Sequence, residues 1–228
     1  SGFTSVIRKF DEKGVMRKVM GTVDKVYLDS IAQSKYKGKV QTGELAIITT
    51  FSDIAFDHKG NMFISDRLNH QIRKVSAQGK ITTIAGTGES AYYGDGGPAR
   101  EASFRDPSSL TTDKEGNLYI GDGANNMVRK IDTKGVVSTV AGNGKHENSG
   151  DGGPALKASI KNIDYLAISP AGELHIVGMN SHIVRKVTKD GNIVAVAGKG
   201  YQGFFGDGGP ATKAMLKSPT AIAFDQAG

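Results

Sequence analysis

The 228-residue chain has no cysteine and no tryptophan. Without cysteine it can build no disulfide framework, thiol nucleophile or thiolate zinc site, and this absence by itself assigns no compartment. Long apolar runs are also missing. The longest are short, such as Leu45 to Ile48, against the roughly 20 residues of a bilayer-spanning helix. No segment reads as a transmembrane helix, and no membrane insertion is expected. The opening SGFTSVIRKF carries no apolar core of a secretion signal, which leaves localisation open. No Gly-x-Ser-x-Gly elbow precedes a helix, and no GxxxxGK[ST] phosphate loop or multi-carboxylate calcium loop occurs.

Apolar residues make up 38% of the chain, enough for a single sizeable core, and 29 basic residues against 23 acidic give a formal charge of +6. Such a balance reads first as a solvated surface and only secondarily as attraction for an anionic partner. Glycine is abundant at 31 residues without any low-complexity tract, the mark of many tight turns.

The strongest internal signal is GDGGPA, which occurs at Gly94 to Ala99, Gly150 to Ala155 and Gly206 to Ala211, so that Asp95, Asp151 and Asp207 stand 56 residues apart. The same offset superimposes QIRKV at Gln71 on MVRKI at Met127 and IVRKV at Ile183, and ITTIAG at Ile81 on VSTVAG. A period of this size indicates an array of one supersecondary unit. Each unit holds four short segments rich in β-branched and aromatic residues, in the second unit Ser109 to Thr112, Leu118 to Gly121, Met127 to Ile131 and Val136 to Ala141. Turn sequences such as DKEGN, GDGANN and DTKG separate them. Four antiparallel strands repeated at this period predict an all-β fold, a β-propeller of four-stranded blades.

The expected organisation is a partial blade over 1–21, an inserted loop over 22–50, blades over 51–103, 104–159 and 160–215, and a partial blade over 216–228. The first spacing, Gly21 to Gly86, is nine residues longer than the period and lacks GDGGPA. Because an open array exposes strand edges, the remainder of the ring is expected from further residues or another chain.

GNLYIGDGANNMVRKI and GNMFISDRLNHQIRKV resemble NHL repeats: a Gly-Asn turn, a strand ending in Asp, an Asn-His or Asn-Asn turn, then an apolar-Arg-Lys-apolar strand. The resemblance covers nearly the whole chain except about 22–48. It implies a propeller, and it leaves function open among protein-binding scaffolds, RNA-binding modules, extracellular sensors and a few lyases.

Candidate residues divide into architecture and contact. Asp66 precedes Arg73 by seven residues and Asp122 precedes Arg129 by seven, which suits salt bridges between neighbouring strands. The third unit has Gly178 in place of the Asp, so Arg185 either finds another carboxylate or is free for an anionic ligand. Asp95, Asp151 and Asp207 read as joint residues, the Asp capping a short helical turn that Pro begins. Tyr92, Tyr93, Tyr201, Phe204 and Phe205 precede GDGG in long loops, where aromatic side chains suit a protein, peptide or glycan partner. His146 lies in the equivalent loop of the second unit.

The histidines, His58, His70, His146, His175 and His182, form no close-spaced ligand set, so no metal and no cofactor is expected. The reading adopted is a non-enzymatic interaction or ligand-binding scaffold acting through inter-blade loops. The alternatives are a propeller lyase or lactonase with a metal in the central channel, and an RNA-binding module. For RNA, the Arg-Lys pairs must form a basic face, yet adjacent residues of a strand point to opposite sides.

Overall fold

A computed structural model describes residues 6–10, 16–21 and 51–225. The inserted loop expected over 22–50 falls outside the described residues. Strands β1 (Val6–Phe10) and β2 (Met16–Gly21) pair antiparallel as a two-stranded sheet.

The period resolves into three four-stranded antiparallel sheets, each a meander. The first contains β3 (Phe51–Phe56), β4 (Met62–Asp66), β5 (Gln71–Val75) and β6 (Ile81–Ala85). The second contains β7 (Pro107–Thr112), β8 (Leu118–Asp122), β9 (Met127–Ile131) and β10 (Val137–Ala141). The third contains β11 (Tyr165–Ile168), β12 (Leu174–Gly178), β13 (Ile183–Val187) and β14 (Ile193–Ala197). Residues 216–225, expected to begin a further blade, join no ladder among the described residues.

The turns explain why four strands recur. Asp113 closes the first turn of the second sheet by accepting from the Asn117 backbone and side-chain nitrogens at 2.8 and 2.7 Å, and Asp57 treats Asn61 in the same way. Between second and third strands, a 3-10 turn in the first two sheets and a plain turn in the third end on a left-handed residue, His70, Asn126 or His182, with φ of 53°, 55° and 53°. These three positions are 56 residues apart. The backbone N–H of Asp106 donates to His70 Nδ1 at 3.2 Å, and that of Ser218 to His182 Nδ1 at 3.1 Å. Each of these histidines therefore holds the chain segment arriving from the next joint.

The hydrophobic core lies between sheets. Phe63 and Ile72 of the first pack with Phe104, Leu110, Ile120 and Val137, while Val128 of the second packs with Ile163, Leu166, Ile176 and Ile193. The innermost strands are bound through side chains: Ser109 Oγ donates to Asp53 Oδ2 at 2.9 Å and accepts from Leu166 N at 3.0 Å, so one hydroxyl ties three sheets.

Candidate functional site

Each joint between sheets is built around an arginine. In β9, Val128 and Ile131 enter the core while Arg129 and Lys130 point to opposite faces, as strand geometry requires. Lys130 Nζ lies 5.6 Å from the centre of the Tyr119 ring. Arg129 turns into the joint and is fully buried. Its Nε and Nη2 donate to Asp95 Oδ1 at 3.0 and 2.6 Å, Nη2 also to Tyr93 O at 3.2 Å, and Nη1 to Asp122 Oδ2 at 3.5 Å. The guanidinium carbon sits 4.7 Å from the Tyr92 ring centre and 5.4 Å from that of Phe104. One cation is thus held by two carboxylates and two rings from either side of the joint.

The environments of the two carboxylates differ. Burial pushes Asp122 up to about 6, against the lowering effect of its bonds from Asn125, the Arg105 N–H and Arg129. Asp66, its counterpart in the first sheet, is raised for the same reason and pairs with Arg73 Nε at 2.9 Å. Asp95 is nearer water: burial raises it, but hydrogen bonds from the Thr139 N–H, Tyr92 and Arg129 together with the Arg129 charge outweigh burial and hold it below the usual carboxylate range.

Arg185 is filled, not free. Its Nη2 donates to Asp151 Oδ2 at 3.0 Å and Nη1 to Ser159 O at 2.8 Å. The carboxylate missing at Gly178 is replaced by one from the preceding GDGGPA, the same relation that joins Asp95 to Arg129 over 34 residues. An Asp at 178 has no room, since a Cβ there would lie 2.8 Å from Ser181 Cβ. The expectation that the GDGG aspartate caps the short turn is corrected. The residue at each N-cap is the proline, Pro98, Pro154 or Pro210, and no side chain caps the turn. At Asp95 and Asp151 the carboxylate pairs with an arginine instead. In the first two copies the alanines after it are buried, Ala99 with Ala102 and Ala155 with Ala158.

Of the aromatic loop residues, Tyr92 bonds Asp95 at 3.0 Å and Thr139 at 3.2 Å and belongs partly to the joint. Tyr93, Tyr201, Phe204 and Phe205 are exposed. His146 Nδ1 meets Asn126 Oδ1 at 3.1 Å, at the edge of a polar cavity of about 690 Å³. That cavity also collects Arg67, Arg105, Asp106, Asn162 and Asp164, none singled out by the sequence. Arg67 is paired with Asp106 through Nε and Nη2, a bridge between the first and second sheets. Among the described residues no three of His, Asp and Glu converge as a metal-binding group.

Residues 88–201 match the family model described as Teneurin NHL domain. Teneurin-m of Drosophila melanogaster is 30% identical over 193 residues, covering 74% of this chain and 7% of that protein. Teneurin-3 of Mus musculus is 28% identical over 194 residues, with the same two coverages. The chain therefore spans only about 7% of the length of these curated relatives. Among solved structures, an auxiliary nutrient binding protein from Bacteroides ovatus superposes with a TM-score of 0.60 at 17% identity, over 96% of this chain and 54% of that one, which speaks to fold alone. On the repeat pattern, the three blade-type sheets and the family match together, the chain belongs to the teneurin NHL-domain family of β-propeller proteins.

Proposed function

We propose that the chain acts as a non-enzymatic protein-interaction scaffold, with contacts made by the loops that precede GDGG. The observation that carries this reading is Tyr93, which is 68% exposed although the joint it borders is filled by Arg129. At equivalent positions the three loops carry Tyr92-Tyr93, Asn148-Ser149 and Phe204-Phe205, while the Gly, Asp and Pro that follow are unchanged. Different side chains on one fixed backbone support a recognition surface, and aromatics supply contact area at little entropic cost. A nucleic-acid surface is less well supported, because Arg129 and Arg185 are consumed by the joints.

The test is selection of peptides from a displayed random library on the purified chain, followed by titration of the best binder against Tyr93→Ala and Tyr201→Ala. The scaffold reading expects at least one variant to bind roughly tenfold or more weakly, the usual weight of an aromatic anchor, with unchanged thermal stability. A binder whose affinity ignores both variants would overturn the assignment of the contact surface to these loops.

A further inference from the structure

The first two joints differ at one pair of positions. Arg67 and Gly123 stand 56 residues apart in the turn between second and third strands, and Asp106, Asn162 and Ser218 stand at the same interval where the chain enters the next sheet. All three entry residues are left-handed, with φ of 59°, 56° and 50°. At the first joint Arg67 spans the gap and donates to both oxygens of Asp106, Nη2 to Oδ2 at 2.6 Å. At the second, the place of the arginine is taken by Gly123 and that of the carboxylate by the amide of Asn162. A side chain at 123 is crowded out, since a Cβ there would lie 3.0 Å from Asp106 O and 3.2 Å from Ser108 Oγ. The polar cavity of about 690 Å³ opens over these residues, and Asn162 Oδ1 is buried there without a partner. A buried acceptor left open beside a polar cavity is satisfied by water or by a ligand's donor.

The groups around this space are unequally used. Of the acceptors, both Asp106 oxygens hold Arg67, and Asp164 Oδ2 receives the Met179 N–H at 2.7 Å. Of the donors, Arg67 Nη1 and the whole Arg105 guanidinium meet no partner among the described residues. Arg105 is fixed through its backbone, whose N–H donates to Asp122 Oδ1 at 2.7 Å and whose carbonyl accepts from Ala124 N at 3.0 Å, while the residue stays exposed at the cavity. The hydrogen bond to Asp106, with the charges of Asp106 and Asp164, outweighs burial and holds Arg67 above the usual guanidinium range. The two carboxylates thus act on Arg67, and Arg105 is the cation left without a counter-ion.

The geometry points to this cavity as a binding site for a small hydroxylated carboxylic acid, a sugar acid such as a hexuronate. Arg105 and Arg67 Nη1 donate to its carboxylate, while Asp164 and the Asn162 amide accept from its hydroxyls. The volume is that of ordinary small-molecule sites. The described lining holds no aromatic ring on which a nucleobase or an uncharged sugar would stack. This site stands apart from the exposed Tyr93 and Tyr201 and does not depend on the partner-binding reading.

The purified chain is titrated with D-glucuronate, followed by calorimetry and by the NMR signals of the Asn162 side-chain amide. D-Glucose, methyl β-glucuronide and N-acetylglutamic acid α-amide serve as comparisons. The expected result is saturable binding of glucuronate that shifts Asn162, with glucose at least about tenfold weaker. Arg105→Ala should weaken glucuronate by at least about tenfold at unchanged melting temperature. Lys161→Ala removes the same charge at the equivalent position of the next joint, outside the cavity lining, and should change affinity by less than about twofold. Methyl glucuronide binding as well as glucuronate marks the terminal residue of a glycan as the source, and its exclusion marks the free acid; both uphold the site. Absence of saturable glucuronate binding, or glucose binding equally well, would overturn the inference. So would the glutamic acid amide binding as tightly, which assigns the cavity to an acidic peptide side chain, or equal losses from Arg105→Ala and Lys161→Ala, which assign the attraction to the diffuse +6 charge of the chain.

Discussion

Three aspartates at equivalent positions, each changed to alanine, should cost different amounts because their arginines are differently supplied. Asp151→Ala removes the carboxylate that Arg185 pairs with and leaves a 3% exposed side chain with Ser159 O and an Nε that already lacks a partner. Removing one member of a buried pair costs about 3–5 kcal/mol. Because Asp151 is itself 38% exposed, water can reach the vacated site, and the expectation falls to about 2–3 kcal/mol. Asp95→Ala strips more hydrogen bonds, but Arg129 keeps Asp122 at 3.5 Å and Tyr93 O at 3.2 Å, so the charge is not abandoned and about 1–2 kcal/mol is expected. Asp207→Ala, with no partner among the described residues, should stay within about 0.5 kcal/mol. For a chain of this size each kcal/mol moves Tm by about 2–4 °C. Thermal and urea unfolding of the three variants should rank them Asp151, Asp95, Asp207 in decreasing cost. An Asp151→Ala chain as stable as Asp95→Ala, or a costly Asp207→Ala, would refute the reasoning.

Other outcomes follow from the same geometry. Asp122 is raised to about 6 from an ordinary 3.8, so the folded state binds its proton more tightly than the unfolded state, and this group's contribution to stability rises as pH falls from about 6 toward 4. Asp122→Asn should remove that dependence, visible as a smaller change in Tm between pH 7 and 5; identical profiles would count against it. Gly150→Ala places a Cβ 2.8 Å from Ala158 Cα at φ +89° and should cost about 3 kcal/mol, whereas Gly152→Ala at φ +84° meets open space and should cost about 1 kcal/mol. Ser109→Ala removes the hydroxyl between Asp53 and Leu166 N and should cost about 2 kcal/mol in urea unfolding.

Much of the architecture was legible because it is local and repeated. Strands such as Met127–Ile131 and the turns around Asp57 and Asp113 follow from short-range alternation and Asp-x-x-Gly-Asn chemistry, and three registered copies fix which segments are equivalent. Pairing between joints was less legible. The seven-residue spacing of Asp122 and Arg129 drew attention to contacts inside a sheet, while the 34-residue spacing of Asp95 to Arg129 and Asp151 to Arg185 was present but makes sense only once GDGGPA is known to lie against the next sheet. The third sheet shows this best: Gly178 looked like a lost partner, and the structure supplies Asp151. The polar cavity around Arg67, Asp106 and Asn162 was invisible for another reason, since its residues come from three units and none of their local motifs is unusual. Tyr92 reads as a surface aromatic in sequence and is half joint in structure, because a ring beside an aspartate can face either water or a neighbouring guanidinium.

The central claim, that the aspartate of GDGGPA exists to hold the arginine of the following sheet, is tested most directly by a double-mutant cycle on Asp151 and Arg185. Stabilities of the parent, Asp151→Ala, Arg185→Met and the double variant give the coupling free energy of the pair. The account predicts about 2 kcal/mol, with the double variant less destabilised than the sum of the singles because no buried cation is left behind. Strict additivity, with coupling near zero, would contradict it.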